Sequence, residues 1–364
     1  MDWVSMLHHR CTFFVAIFFT CGLATSAHAE LTLKSDEATA LIGGRTQVGY
    51  VAQPHARADD RSNNRFLSKQ TRLELTVEAW EDFSGNFVID LFGARGLPGA
   101  KDVWVAWAPL RWLSLKLGQF KPPVSRQRVV SGRDTLFSDR PTVINRLAPP
   151  REMGMSASFL FDERRYQIHL GAFNGQRENV LVDDREGFPL FTFRFEAMPL
   201  GVMNAAEGAL PWSEDFRLQL GLWGTFTRDD SAPTADEDPR TLEKSQLGAD
   251  LAMRYQGFFF SAEGSARRWR DAAGNDGIAW GAYAQASYLI EAIYLEAALR
   301  FSYYDERLGH GKNSCPTISY GLNYYPFGSH LLKVNLAYTD HLPSPDSDAD
   351  WDEDELSIIV QLAF

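Results

Sequence analysis

The chain has 364 residues, with 36 Lys and Arg against 47 Asp and Glu and a formal net charge of −11. That balance argues against nucleic acid as a partner, since binding to phosphate backbones needs a basic surface. Beyond the first 29 residues no apolar run approaches the roughly 20 residues of a transmembrane helix, so any membrane crossing must use strands.

Residues 1–29 read as an export signal. His8, His9 and Arg10 precede the apolar run Thr12 to Ala24, and Ala27-His28-Ala29 offers a small-residue cleavage site. The run is too short for a membrane anchor, and Phe18-Phe19-Thr20 is too bulky ahead of Cys21 for a lipoprotein signal. Cleavage near Ala29 leaves residues 30–364 as a single domain. Cys315 is then the lone cysteine, so no intramolecular disulfide is possible, and no Cys/His cluster marks a metal site.

From there the chain alternates apolar and polar residues. Leu73, Leu75, Val77 and Ala79 oppose Arg72, Glu74, Thr76 and Glu78; Phe191, Phe193 and Phe195 oppose Thr192, Arg194 and Glu196. Successive strand side chains face opposite sides, so each such stretch has an apolar face and a charged one. Sixteen strands are predicted, near 40–50, 69–79, 84–92, 101–108, 111–119, 152–161, 164–173, 190–198, 216–227, 245–255, 257–267, 277–289, 292–302, 316–325, 330–340 and 355–364. A soluble sandwich also alternates. Here the strands have the length of tilted membrane strands, and short and long connections take turns, as in outer-membrane barrels. The exception is 199–215, which should be short. The expected fold is an all-β, transmembrane antiparallel barrel of about sixteen strands, with a long loop folding inward after the fifth. Closure leaves no unpaired edge in hydrocarbon, and sixteen strands enclose a water-filled lumen.

The last strand alternates Leu356, Ile358, Val360, Leu362 and Phe364 with Ser357, Ile359, Gln361 and Ala363. An aromatic at this position looks like the signal read by barrel-assembly machinery. Trp80, Trp104, Trp107, Trp112, Tyr255, Phe258, Tyr288, Tyr294, Tyr324, Tyr325 and Phe327 fall near strand ends, where interfacial girdles want aromatics.

The long loop, 120–151, carries Lys121, Arg126, Arg128, Arg133, Arg140, Arg146 and Arg151 against Asp134 and Asp139. Such a loop narrowing a pore favours anions, and these seven cations are the expected pore-lining, anion-attracting set. The competing reading is structural pairing with Glu74, Glu78, Asp90 or Asp102 on the wall, or with Asp134 and Asp139. The strand-borne inward charges balance at eight against eight: Arg72, Lys116, Arg194, Arg217, Arg254, Arg267, Arg300 and Lys333, with Glu74, Glu78, Asp90, Asp102, Glu196, Asp250, Glu263 and Glu296. A neutral wall predicts modest selectivity. Acidic clusters at 229–238 and 346–355 suit solvated outside loops or cations bridging lipopolysaccharide, with no EF-hand spacing. The residues offer no nucleophile–base set and no GxSxG elbow, so no enzyme and no cofactor is expected. The alternative to a channel is an adhesin or structural barrel.

Lys101-Asp102-Val103-Trp104-Val105, Leu117 to Pro123, Ser131 to Phe137, Asp139-Arg140-Pro141, Arg151-Glu152-Met153-Gly154 and Gly171 to Gly175 together resemble the phosphate-selective porin O and P family, across residues 101–176. The resemblance implies a sixteen-stranded trimeric porin passing small anions such as phosphate by passive diffusion. It places Lys121, Arg133, Arg140 and Arg151 on the family's loop motif.

Overall fold

The computed structural model describes residues 31–53, 64–92, 97–179, 187–210, 212–229, 241–271, 274–306, 314–342 and 354–364. The export segment 1–29 and most of both acidic clusters lie outside the described residues.

Among the described residues, seventeen strands follow in chain order: β1 Leu31–Lys34, β2 Ala38–Ala52, β3 Arg65–Ala79, β4 Phe83–Asp90, β5 Gly99–Leu110, β6 Leu113–Phe120, β7 Glu152–Phe161, β8 Tyr166–Phe173, β9 Gly187–Ala197, β10 Arg217–Asp229, β11 Thr241–Tyr255, β12 Phe258–Asp271, β13 Asp276–Ile290, β14 Leu295–Asp305, β15 Ser314–Tyr324, β16 Leu332–His341 and β17 Glu355–Ala363. Each of β2 to β17 pairs antiparallel with the next. The last pairs back onto β2, from Leu356 opposite Ala52 to Ala363 opposite Arg45, which closes a sixteen-stranded barrel. Backbone bonds between Gly44 and Phe364 (2.8 and 2.9 Å) finish that seam. Short β1 pairs with Thr39–Ile42 of β2, beyond the point where β17 stops. It covers backbone groups that would otherwise be an open edge, and its four residues are too few for alternation to announce it.

The strand faces invert the pattern of a soluble protein. On β17, Leu356, Ile358, Val360, Leu362 and Phe364 are exposed, while Ser357, Ile359, Gln361 and Ala363 are buried. On β9, Phe191, Phe193 and Phe195 are exposed and Thr192 and Arg194 are buried. Apolar side chains therefore point out, where lipid takes the place of a core, and polar ones point in. The assigned inward charges follow this parity.

Boundaries differ where local geometry decides them. β3 and β11 begin at Arg65 and Thr241, not 69 and 245, and β12 runs to Asp271. The strand expected from 292 starts at Leu295: Glu291–Ile293 form a 3-10 turn and Tyr294 sits at φ 50. Tyr255 and Phe258 pair across Gln256 and Gly257, at φ 41 and 82, the positive-φ pair of a two-residue hairpin whose twist matches its strands.

Candidate functional site

Lys121-Pro122-Pro123 ends β6, since proline cannot donate to a ladder. The chain then makes two short helices, α1 Arg126–Val129 and α2 Thr142–Leu147, before re-entering the wall at β7. Its polar contacts run to inner faces of distant strands. Lys333 on β16 donates to the carbonyls of Arg133 (3.0 Å) and Thr135 (2.9 Å), and Asn323 and Asn335 donate to that of Leu136. Arg126 donates to Gln219 on β10, and Glu263 on β12 accepts from the Gln127 N–H at 3.1 Å. The apolar contacts point the same way. Val143, Ile144, Leu147 and Ala148 pack with Ala279, Tyr283 and Tyr304. Gly281 and Gly321 make room: a Cβ there would stand 2.6 Å from Val143 and 2.9 Å from Phe137. Leu136, Phe137, Val143 and Ile144 are 0–2% exposed, which stabilises each placement by at most roughly 1.5–3 kcal/mol per side chain.

The over-long connection between β9 and β10 meets this loop. Met203, Ala209 and Leu210 are buried, and Glu207 is 1% exposed. The Glu207 N–H donates to the Asp134 carbonyl (2.8 Å); its carboxylate accepts from the Leu136 N–H and Gln285 Nε2, both at 2.8 Å. Arg126 and Arg254 donate to carbonyls of this connection at Ala205, Ala206 and Gly208. It is long because it fills interior space, which alternation alone does not reveal.

These two segments cover one side of the wall. Asp250, Glu263, Glu296, Arg194, Arg254, Arg300 and Lys333 are all at most 6% exposed. Arg194 holds Asp250 at 2.6 and 2.9 Å and Glu196 at 2.9 and 3.1 Å. The other side stays open: a cavity of about 510 Å³ lies between the loop and strands β2 to β8. Arg45, Lys116, Lys121, Arg151 and Arg164 line it against Glu74 and Asp102, an excess of three positive charges. The balanced inward set gives this lining only Lys116 against Glu74 and Asp102; the excess comes from Arg45, Lys121, Arg151 and Arg164, which lie outside that set.

The seven loop cations are mostly engaged. Arg151 grips Asp102 with contacts of 2.7 and 3.1 Å. Arg133 contacts Asp134 at 3.2 Å and is partly open. Lys121 donates to the carbonyls of Val129 and Val130, Arg128 to those of Ile144 and Ala148, and Arg140 to those of Gln127 and Val130. Arg126 is buried; Arg146 is exposed, and its carbonyl accepts from Arg267. Burial, with Arg140 and Arg151 nearby, pushes the Lys121 ammonium well below its usual range. The same causes lower Arg128 to about 10, still charged at neutral pH.

Two aromatics expected in the girdles belong to the interior. Trp104 lines the cavity beneath the Lys116 ammonium, 4.0 Å from its ring centroid. Tyr325 is 0% exposed and donates to Glu296 at 2.7 Å. Both have the parity of the polar face, the stronger signal. Arg45 escaped the loop-centred reading. It shares the inward parity of Gln47, donates to Gln70 (3.3 Å) and to Ser131 of the loop (2.9 Å), and lines the cavity.

A closed barrel with lipid-facing apolar bands and a charged, partly filled lumen defines an outer-membrane channel of the porin class. The description "Phosphate-selective porin O and P" matches residues 41–364, and the chain belongs to this family. The fold is shared with solved porins. The outer membrane channel DcaP of Acinetobacter baumannii is 12% identical, with 91% of this chain and 99% of that one covered and a TM-score of 0.61. The anion-selective porin of Comamonas acidovorans is also 12% identical, with coverage of 90% and 100% and a TM-score of 0.58. OmpT of Vibrio cholerae is 9% identical, with coverage of 92% and 100% and a TM-score of 0.60. No curated protein matches the chain. The protein is an outer-membrane porin, a channel for passive diffusion of small solutes.

Proposed function

We propose that this channel favours small anions, phosphate among them, along the side of the lumen lined by β2 to β8. The carrying observation is the predominance of cationic side chains around the open cavity, five against two acids. Inside a low-dielectric wall such an excess raises local anion concentration and lowers the barrier to anion passage. The long loop narrows the passage by filling the opposite side. Of the loop cations, Lys121, Arg133 and Arg151 border open space and set its potential while bound to the protein; Arg126, Arg128 and Arg140 hold the loop's shape, and Arg146 contributes at an exposed position.

Supporting readings complete the proposal. Residues 1–29 direct export and are cleaved near Ala29, leaving a single barrel domain. The β17 seam ending at Phe364 is what barrel-assembly machinery engages. Outside acidic loops meet lipopolysaccharide through divalent cations, and the porin assembles as a homotrimer.

The test is single-channel recording of the purified protein in planar bilayers under a salt gradient. Discrete steps with a reversal potential favouring chloride over potassium support the reading. A potential favouring potassium retires anion preference, and a folded, heat-modifiable protein without steps returns the adhesin or structural alternative.

A further inference from the structure

On β12 the outward parity is apolar from Phe258 to Ala266 and then turns to Arg268 and Arg270, both exposed. The tight turn before Phe258 marks the periplasmic end, since short turns face that side in outer-membrane barrels. The roughly ten residues from Phe258 to Arg268, at about 3.3 Å each and a tilt of about 40°, rise about 25 Å, the height of the apolar band. Both arginines therefore stand on the lipid side of the wall at the level of the outer-leaflet headgroups.

The register of β10 to β13 builds this spot from two rows. Arg228, Glu243, Arg270 and Asp276 lie side by side, and beneath them come Phe226, Ser245, Arg268 and Ile278. Three cations thus meet two carboxylates. Arg268 reaches Asp276 only at 3.5 Å, with both side chains more than half exposed. The Arg270 guanidinium has no hydrogen bond or ion pair among the described residues, although a guanidinium carries five donors. Below these rows the wall opens into an apolar groove of about 690 Å³. Gly224 and Ala266 form its floor on either side of Leu247, and Ser245 and Arg268 border its upper end. Phe193 lies across Gly224, where a Cβ would come within 2.5 Å of its ring.

We infer that this face seats one phosphorylated lipid of the outer leaflet, its phosphate among Arg268, Arg270 and the Ser245 hydroxyl and an acyl chain in the groove beneath. Guanidinium donors match a phosphate in pairs. A free anion would leave the groove unused, and an uncharged lipid would leave the arginines unused. A second copy docked here about a two-fold axis would bring like charges together. The inference deepens the lipopolysaccharide contact proposed above and rests on that partner. It differs in needing no metal, because the phosphate meets arginine directly and not a carboxylate through a divalent cation.

The experiment uses the full-length porin purified in detergent, with bisphosphorylated lipid A as the probe, and counts bound lipid by native mass spectrometry with and without EDTA. Wild type should hold one lipid A per barrel in EDTA. The double variant R268Q/R270Q should weaken that binding roughly 100-fold, about ten-fold for each charged donor lost. A266F, which fills the groove and leaves the arginines, should weaken it too; R268Q alone serves should A266F not fold. Dephosphorylated lipid A should bind poorly, and millimolar inorganic phosphate should not displace lipid A. Single-channel conductance should stay unchanged in every variant, since none of these side chains faces the lumen. Lipid A held equally by wild type and R268Q/R270Q overturns the seat, as does displacement by inorganic phosphate. Binding that EDTA abolishes in wild type overturns the direct contact and leaves the acidic loops as the bridge; no binding under either condition retires both. A change of oligomeric mass in A266F would make this face a subunit contact and likewise overturn the lipid seat.

Discussion

Arg151 reaches Asp102 through Nε and Nη2, with contacts of 3.1 and 2.7 Å, and so ties the end of the long loop to the inner face of β5 at the edge of the open cavity. The pair neutralises one of the few acids on that side. D102N should remove a negative charge from the lining and free a guanidinium toward the solute. The chloride-to-potassium permeability ratio should rise, read as a larger reversal potential in a salt gradient. Because both side chains are partly open to water, the stability loss should be only about 1–2 kcal/mol, seen as a modest fall in the urea midpoint.

The barrel was legible because lipid and water impose a strict period of two, and parity alone placed Arg194, Glu263 and Lys333 on the inside. Lys116 and Asp102 were placed inside by the same rule. What parity does not carry is which part of the inside stays open. That depends on Val143 finding Gly281 and Phe137 finding Gly321, contacts between residues more than a hundred positions apart. The loop cations were visible as a cluster, but their partners are mostly carbonyls, which have no signature in composition. The 199–215 connection stood out only as too long.

Arg194 shows what covering one side of the lumen requires. Its guanidinium and the Asp250 carboxylate are 3% and 1% exposed. Removing one member of a buried pair leaves the other charge uncompensated, at a cost of about 3–5 kcal/mol. R194A should therefore lower the denaturation midpoint strongly. Replacing Arg194 and Asp250 together by Met and Leu should recover much of the loss. Equal destabilisation of the single and double variants would mean that packing, and not charge, dominates at this position.

His330, in the turn before β16, has both ring nitrogens buried without a hydrogen-bond partner and lies edge-on to Tyr325 at 5.2 Å. Burial and the Lys333 charge depress its pKa to about 3. The folded protein keeps this ring neutral, whereas the unfolded chain protonates it below about 6.5. The contribution is whole above pH 6.5 and is lost as pH falls toward 3, by at most about 1.4 kcal/mol per pH unit. H330N should flatten the fall of the denaturation midpoint between pH 6.5 and pH 4; an unchanged slope would assign the acid sensitivity elsewhere.

The connection between β9 and β10 makes the most direct claim on pore size. Its Glu207 side chain accepts from Leu136 of the loop and Gln285 of the wall, so the two interior segments brace one another. Replacing residues 199–215 with a short Gly- and Asn-containing hairpin keeps both strands and removes the brace. Single-channel conductance should then rise as water enters the covered side. Ion preference should weaken as the passage widens, since the newly exposed Arg194, Arg254, Arg300 and Lys333 nearly balance Asp250, Glu263 and Glu296. E207Q should change conductance little, because a neutral amide keeps the acceptor for Leu136; E207L should broaden the distribution of step sizes. A hairpin variant that folds, shows heat modifiability and conducts like wild type would mean that the loop alone sets the passage.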